Sequence, residues 1–376
     1  MAAGVLSGRA SDIPEALRDA MAPPAEYANQ FGRYASPLKF YDGRPVRSPQ
    51  EWTARRGEIL RYWYEEMGPW PALLPRPKVE FEEKQERVDG VVQHRVQLEV
   101  APGVMQHGYL LLPPKRFAGK RPAVLVPFYA PEVSVAYDGR RPLEGQAKRM
   151  LTTDERGRER DFALQLARRG FVTLAIGTPG DNAYEPLLSG AKCQPLSYHA
   201  YIAANCHTIL SQRPEVDAAR IGIMGHSYGG KWAMFASCLY EKFAAAVWSD
   251  GGVVFDEAKP AVNYWEPWYL GLDPAATTRK RGVVTSENGR TGAYKRIIEA
   301  GHDLHELHAL MAPRPFLVSG GSEDGPGRWV ALNHTIAVNR FLGYENRVAM
   351  TNRPKHGPTA ESNQQAYAFL VWWLKP

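Results

Sequence analysis

The sequence predicts a mostly parallel α/β sheet with helices on both faces, entered through an antiparallel meander. Three observations carry this. Runs that alternate apolar and polar residues fill 79–112, continuous apolar runs separated by helical patterns follow, and one of those runs ends in Gly225-His226-Ser227-Tyr228-Gly229 just before an apolar helical stretch. Strands alternating with helices after an antiparallel start call for helices on both faces of one sheet. With 376 residues, 44% hydrophobic and 23% charged, the chain is long enough to bury a large core.

Residues 1–78 read as an arm and a helix packed on that core. The arm, to about residue 47, has no sustained period. Ser48-Pro49-Gln50-Glu51 then opens a helix: Ser48 is placed to cap it, Pro49 suits the first helical position, and Glu51 completes a capping-box spacing. Gly68-Pro69 ends it. Residues 79–376 form the catalytic domain. Val79-Glu80-Phe81-Glu82 and Val92 to Val100 are half-buried strands with a tight turn at Asp89-Gly90, and Gly108 to Leu112 completes the meander. Pro122 to Phe128 and Gly170 to Ile176 read as strands buried on both faces, with a helix over 161–169 between them. A helix at 196–212, the strand at 220–224, strands at 243–249 and 315–320, a helix at 331–342, a short strand at 347–350 and a helix at 361–374 finish the chain. The segments 130–160 and 252–300 leave from the carboxyl ends of strands, where such sheets bind ligands, and are expected to form lid-like insertions.

Several function classes fall away on composition. The net charge of +6 is spread without a dense Lys/Arg run, so it reads as a solvated basic surface, and neither nucleic acid nor membrane is an expected partner. No apolar run reaches membrane-spanning length, so the chain is expected to be soluble, and an export signal removed upstream would leave no trace here. Cys193, Cys206 and Cys238 form no disulfide framework or zinc motif, although one bridge between the first two stays open. His302, His305 and His308 fall at helical spacing, but no metal or other cofactor is expected.

The chemistry centres on Ser227. A serine hydroxyl is a poor nucleophile until a base takes its proton, and the base is most often a histidine held by a carboxylate. The Gly-His-Ser-Tyr-Gly pattern between an apolar strand and a helix is a nucleophile elbow, and on that fold the order is Ser, acid, His. His334 falls within a helix, where a structural role suits it. His356, in the loop between the last strand and last helix, is the expected base. Two carboxylates compete as its partner, Asp324 after the penultimate strand and Asp250 after the strand before it, with Glu323 a weaker third. An oxyanion hole needs two N–H donors. One is that of Tyr228; the other is sought in the turn around Tyr129.

In these stretches the chain resembles an α/β-hydrolase esterase, and within that superfamily it is similar to the glucuronoyl esterase and acetylxylan esterase group of carbohydrate esterases. Gly225-His226-Ser227-Tyr228-Gly229-Gly230-Lys231, the stretch Asp303 to Pro315 and Lys355-His356-Gly357 carry the likeness. It implies that Lys231 binds substrate, although as an elbow-helix residue it suits a structural pair with a carboxylate equally well, that His305 is structural, and that the acid commonly stands at the position of Asp250, with some members also carrying one at Asp324. Two departures stand out. Many hydrolases have His-Gly near Tyr129, and glucuronoyl esterases usually have Arg where this chain has Tyr228. The cluster containing Trp265 and Trp268 offers aromatic faces for a sugar or packs a lid, and Trp232 and Trp329 share that ambiguity.

The expected function is a serine-dependent carboxylic ester hydrolase acting on carbohydrate-linked acetyl or glucuronoyl esters, small or polymeric. A peptidase of the prolyl-oligopeptidase type shares the elbow, but the residues ahead of the core are too few for its propeller. The other alternative is a non-catalytic carbohydrate-binding protein on the same fold.

Overall fold

The computed structural model describes residues 13–117, 119–137, 142–152, 159–178, 190–259, 265–273 and 282–376. Nine strands form one sheet: β1 (Val79–Glu86), β2 (Val92–Ala101), β3 (Val104–Leu112), β4 (Arg121–Pro127), β5 (Val172–Ile176), β6 (Val216–His226), β7 (Ala245–Ser249), β8 (Phe316–Gly320) and β9 (Val348–Asn352). Their spatial order is β1-β2-β3-β5-β4-β6-β7-β8-β9. The first three pair antiparallel, β3 meets β5 antiparallel, and all later pairs are parallel. The meander turns where Gly90 takes φ +81°. The elbow strand is longer than the apolar run that signals it, because its first residue, Val216, already pairs with Arg121 before a register shift brings Ile221 opposite Ala123.

The helices among the described residues are α1 (Pro49–Met67), α2 (Pro131–Ser134), α3 (Gly145–Thr152), α4 (Phe162–Arg168), α5 (Pro195–Ser211), α6 (Tyr228–Leu239), α7 (Trp265–Tyr269), α8 (Gly292–Glu299), α9 (His305–Ala309), α10 (Trp329–Phe341) and α11 (Ala360–Leu374). None is long and apolar enough to cross a membrane.

Strand periodicity divides the core. Ala123 and Leu125 of β4, and Trp248 of β7, face a layer that includes Trp63 of α1, Ile202 of α5 and Trp232 of α6. Val124, Val126 and Val247 face the other, with Phe162, Phe369 and Trp373 of α4 and α11. The continuous apolar runs follow from this two-sided burial. The 3-10 turn Glu15–Ala20 adds Leu17 to the second layer.

The capping box anticipated for α1 forms by half. Ser48 Oγ accepts the Glu51 N–H at 3.2 Å, but the Glu51 carboxylate accepts from the Arg47 N–H at 2.6 Å rather than from Ser48. A complete box sits instead at α11, where Thr359 Oγ1 accepts the Ser362 N–H at 3.1 Å and Ser362 Oγ accepts the Thr359 N–H at 2.9 Å. The Cys193–Cys206 bridge left open by the sequence does not form: all three cysteines are free and buried.

Between the arm, α1 and α9 lies Glu306, whose buried carboxylate accepts from Tyr41 Oη at 3.1 Å, from Trp63 Nε1 at 3.2 Å and from His302 Nδ1 at 3.0 Å. Burial pushes this carboxyl up, but the His302 ring and the Arg55 guanidinium outweigh it and hold it below its ordinary range. The site fastens the approach to β8, so Glu306→Ala should cost about 3 kcal/mol or more by leaving buried donors unpaired. Urea unfolding checks this; a loss under about 0.5 kcal/mol, ordinary for a surface change, would refute it.

Candidate active site

The order β5-β4-β6 makes β4 the point where the chain stops building in one direction and starts in the other. Crevices open at the carboxyl ends of such strands. Ser227 stands there, between β6 and α6, with φ +58° and ψ −123°. That conformation is strained for a side-chain-bearing residue and is held by its surroundings. A Cβ at Gly225 would lie 2.1 Å from the Gly229 carbonyl oxygen, and one at Gly229 would lie 2.3 Å from that of Pro127. The elbow thus seats directly on the end of β4.

Ser227 Oγ lies 2.9 Å from His356 Nε2, and His356 Nδ1 lies 2.7 Å from Asp250 Oδ2. The three expected residue types meet in line. Asp250 has φ +47° and is fully buried. Its other oxygen, Oδ1, accepts the N–H groups of Gly321 at 2.6 Å, Asp324 at 2.9 Å and Glu323 at 3.2 Å. The loop after β8 therefore supplies donors to the carboxylate.

Asp324, a candidate partner of His356 on sequence, makes a different set of contacts. Its oxygens accept the N–H groups of Gly252 and Val253, each at 2.8 Å, and Arg328 Nε lies 3.6 Å away. Each of the two loops thus holds the other's carboxylate. Burial, and then the charge of Asp250, push the Asp324 carboxyl upward. Glu323 accepts from Ser322 Oγ at 3.2 Å.

Two residues of this site carried no weight in the sequence. Arg353 donates to the His356 carbonyl at 2.7 Å, to that of Gly357 at 2.8 Å and to that of Ser319 at 2.8 Å, so one guanidinium ties the His356 loop to the end of β8. Proximity to His356 was its only signal. His226 Nδ1 lies 3.1 Å from Ser249 Oγ, with its ring centroid 4.7 Å from that of His356. Burial, then the neighbouring His356 charge, push it well below the ordinary histidine value, so it stays neutral.

Tyr228 begins α6, whose first N–H groups lack intrahelical acceptors. Its side chain is buried, bonded through its hydroxyl to His199 Nδ1, with ring centroids 4.8 Å from Tyr269 and 5.8 Å from Tyr129. The side chain at this position is thus packed among neutral aromatic rings. Tyr129 itself follows Phe128, whose N–H donates to the Ile176 carbonyl at 3.0 Å.

Of the two roles open to Lys231, its contacts match the structural pair with a carboxylate. It is fully buried, and its ammonium is paired with Glu266 of α7 and with the Gly252 carbonyl. The structural partner was invisible in sequence because it arrives from 35 residues away. Trp268 is half-buried against the core, while the side chain of Trp265 lies outside the described residues. Trp232 and Trp329 are core residues. His302, His305 and His308 do not converge: His302 meets Glu306, His305 Nε2 lies 2.7 Å from the Ala35 carbonyl, and His308 packs on Trp248. Among the described residues no group of three or more His, Cys, Asp and Glu side chains is arranged to hold a metal ion. His334 is buried on α10, its Nε2 3.0 Å from the Phe31 carbonyl.

Comparison with solved structures gives the architecture its place. A glucuronoyl esterase from Solibacter usitatus superposes with a TM-score of 0.71 at 22% identity, covering 90% of this chain and 97% of that one. The fold is that of the α/β-hydrolases. A promiscuous CE15 esterase from a marine bacterial metagenome matches with a TM-score of 0.67 at 17% identity, over 90% of this chain and 96% of the other. A protein from Bacteroides fragilis described as an acetyl xylan esterase matches with a TM-score of 0.54 at 17% identity, over 89% and 79%. In sequence, residues 201–287 match the family model described as BAAT / Acyl-CoA thioester hydrolase C terminal. No curated protein sequence matches the chain.

Burial pushes Glu266 up to about 7, against the pull of Lys231. Lys231→Met removes the group that draws this carboxyl down and leaves it buried without its partner, so whether it stays charged or takes up a proton the change should cost about 3 kcal/mol or more. A Lys231→Met/Glu266→Met double variant should recover most of that loss. Denaturant titrations of the two variants check this, and a double variant as unstable as the single would contradict it.

Proposed function

We propose that the chain is a serine-dependent carboxylic ester hydrolase acting on carbohydrate-linked esters, acetyl or glucuronoyl, through an acyl-enzyme. The observation that carries the reading is the line of contacts Ser227 Oγ–His356 Nε2, His356 Nδ1–Asp250 Oδ2. His356 takes the hydroxyl proton as Oγ attacks the ester carbonyl. Asp250 fixes the ring and stabilises the imidazolium. Collapse of the tetrahedral intermediate releases the alcohol, which leaves with the proton from His356. Water, deprotonated by the same ring, then adds to the acyl carbonyl; the acid is released and Ser227 regains its proton.

The proposed oxyanion donors are the backbone N–H groups of Tyr228, at the start of α6, and of Tyr129, on the turn that abuts Gly229. Two features of the comparisons support the substrate class: the superposed structures named as carbohydrate esterases, and coverage of nine-tenths of this chain by them. We take the catalytic unit to span 79–376, with the described residues 13–78 packed upon it, and the segments 130–160 and 252–300, parts of which lie outside the described residues, as the rim that receives substrate. Lys231 contributes by holding α7 rather than by meeting the ester. Neither metal nor other cofactor enters the scheme.

Ser227→Ala should lower kcat on p-nitrophenyl acetate by on the order of 10⁴ or more; retained turnover would sink the assignment. Among the carboxylates, Asp250→Asn should cost on the order of 10³–10⁴ in kcat, as expected when the base loses its orienting partner. Asp324→Asn should cost at least about tenfold less in kcat and should lower stability, because its new amide group opposes a backbone N–H. Turnover and thermal unfolding of both variants check this; the reverse ranking in kcat would make Asp324 the acid. Rates on acetylated sugars, a glucuronate methyl ester and an aminoacyl amide then rank the substrate classes.

A further inference from the structure

A cavity of about 450 Å³ lies between the N-terminal arm, the segment that follows β7 and the stretch from 290 to 303 around α8. Its volume falls within the range of small-molecule sites. None of the described residues that line it belongs to the triad, and the proposed chemistry leaves it unused.

Most charged groups on its walls already have partners. Arg290 holds both oxygens of Glu257, at 2.7 and 2.8 Å, and Tyr294 Oη donates to the same carboxylate at 2.9 Å. Asp256 accepts from Arg328 Nη2 at 2.8 Å, and His302 turns Nδ1 toward Glu306 at 3.0 Å. Two groups differ. Arg33, exposed on the arm, makes no ion pair among the described residues. Asp303 is only 7% exposed, and one of its oxygens does all the bonding: Oδ1 accepts the N–H groups of Phe255 at 2.9 Å and of Leu304 at 2.6 Å. Oδ2 accepts no hydrogen bond among the described residues and is not closed off by protein, so it opens to the cavity that Asp303 lines.

Arg33 and Asp303 do not pair with each other, yet their charges interact. Burial pushes the Asp303 carboxyl up to about 6, against its two N–H donors and then the guanidinium of Arg33. Opposite charges set too far apart to touch, in one small cavity, suit a ligand that carries both. Tyr34, Phe255 and Ile298 add apolar faces. Neighbours fix the two rings: Tyr34 lies 4.9 Å from His305, and Phe255 lies 5.3 Å from Tyr294.

We propose that this cavity binds a free α-amino acid with an apolar side chain, its carboxylate on Arg33 and its ammonium on Asp303 Oδ2. A guanidinium offers a carboxylate two parallel N–H donors, and an ammonium gives the open carboxylate oxygen the charged donor it lacks. The ring faces of Tyr34 and Phe255 receive the side chain. A simple anion meets Arg33 but is repelled by Asp303, and a simple cation meets the reverse. A neutral apolar molecule would strip water from both charges without replacing its hydrogen bonds. The site does not rest on the esterase reading, and its binding is measured without turnover.

Calorimetric titration of the full chain with L-phenylalanine tests this at pH 7, where Asp303 is mostly ionised. L-phenylalaninamide, which lacks the carboxylate, and phenylpropanoate, which lacks the ammonium, are titrated beside it. Saturable binding of the amino acid is expected, with each analogue about tenfold weaker or more, as loss of a charged hydrogen bond requires. Arg33→Gln should weaken the amino acid to the level of the amide. Asp303→Asn should weaken it similarly, but it also disturbs a carboxylate that holds two backbone N–H groups; Arg33→Gln, an exposed change of the kind that leaves folding intact, keeps the test valid where Asp303→Asn does not fold. Absence of saturable binding, equal affinity for all three compounds, or affinity unmoved by Arg33→Gln overturns the site. Amino-acid binding by a chain that cleaves no ester would keep the site and remove the esterase reading; ester cleavage with no amino-acid binding would do the reverse.

Discussion

Two short loops at the carboxyl ends of β7 and β8 exchange carboxylates, and the geometry of the site hangs on that exchange. Asp250 sits in a nest of N–H groups from residues 321, 323 and 324, while Asp324 accepts the N–H groups of residues 252 and 253. Neither loop has regular structure of its own, so neither could hold a buried carboxylate unaided. Together they satisfy both acids and fix the direction in which Asp250 presents its remaining oxygen to His356. The left-handed backbone at Asp250 is affordable only because these bonds over-determine it. Arg353 extends the same logic to the third loop, binding the carbonyls of His356 and Gly357.

Much of this was legible in the sequence because it rests on local rules. Apolar runs on both faces gave the parallel strands, alternation gave the meander, and the tight glycine spacing around Ser227 gave the elbow. His356 followed from chain order. The choice between Asp250 and Asp324 did not, since both residues follow strand ends at the same edge of the sheet and both are followed by glycine. What separates them is which one faces the histidine, a question of tertiary geometry that no local pattern encodes. Resemblance to known esterases favoured Asp250 and the contacts agree with it, but the buried, bonded state of Asp324 was visible only once the loops were seen together.

The elements that escaped sequence reasoning share a cause: their partners come from far along the chain. Glu266 reaches Lys231 across 35 residues, and His199 meets Tyr228 across 29. Read alone, a lysine one turn into the elbow helix could meet substrate or a carboxylate, and nothing local names the partner of the tyrosine after Ser227. In the fold both are withdrawn, the lysine into an ion pair and the tyrosine into a stack of rings. The half-formed box at Ser48 has a different, local cause, since the Glu51 carboxylate accepts instead from the Arg47 N–H that the incoming chain presents.

The position of Asp250 also bears on how such a protein can change over evolutionary time. Because Asp250 directly follows Ser249, whose carbonyl accepts the Ser227 N–H at 2.8 Å, Ser227 and Asp250 are registered by the sheet itself. The long stretch from 254 to 302 is then under no obligation to return a reactive group to the centre. Apart from Glu266, which must still meet Lys231, it can lengthen, shorten or be exchanged while the alignment of the Ser227 hydroxyl, the His356 imidazole and the Asp250 carboxylate is inherited unaltered.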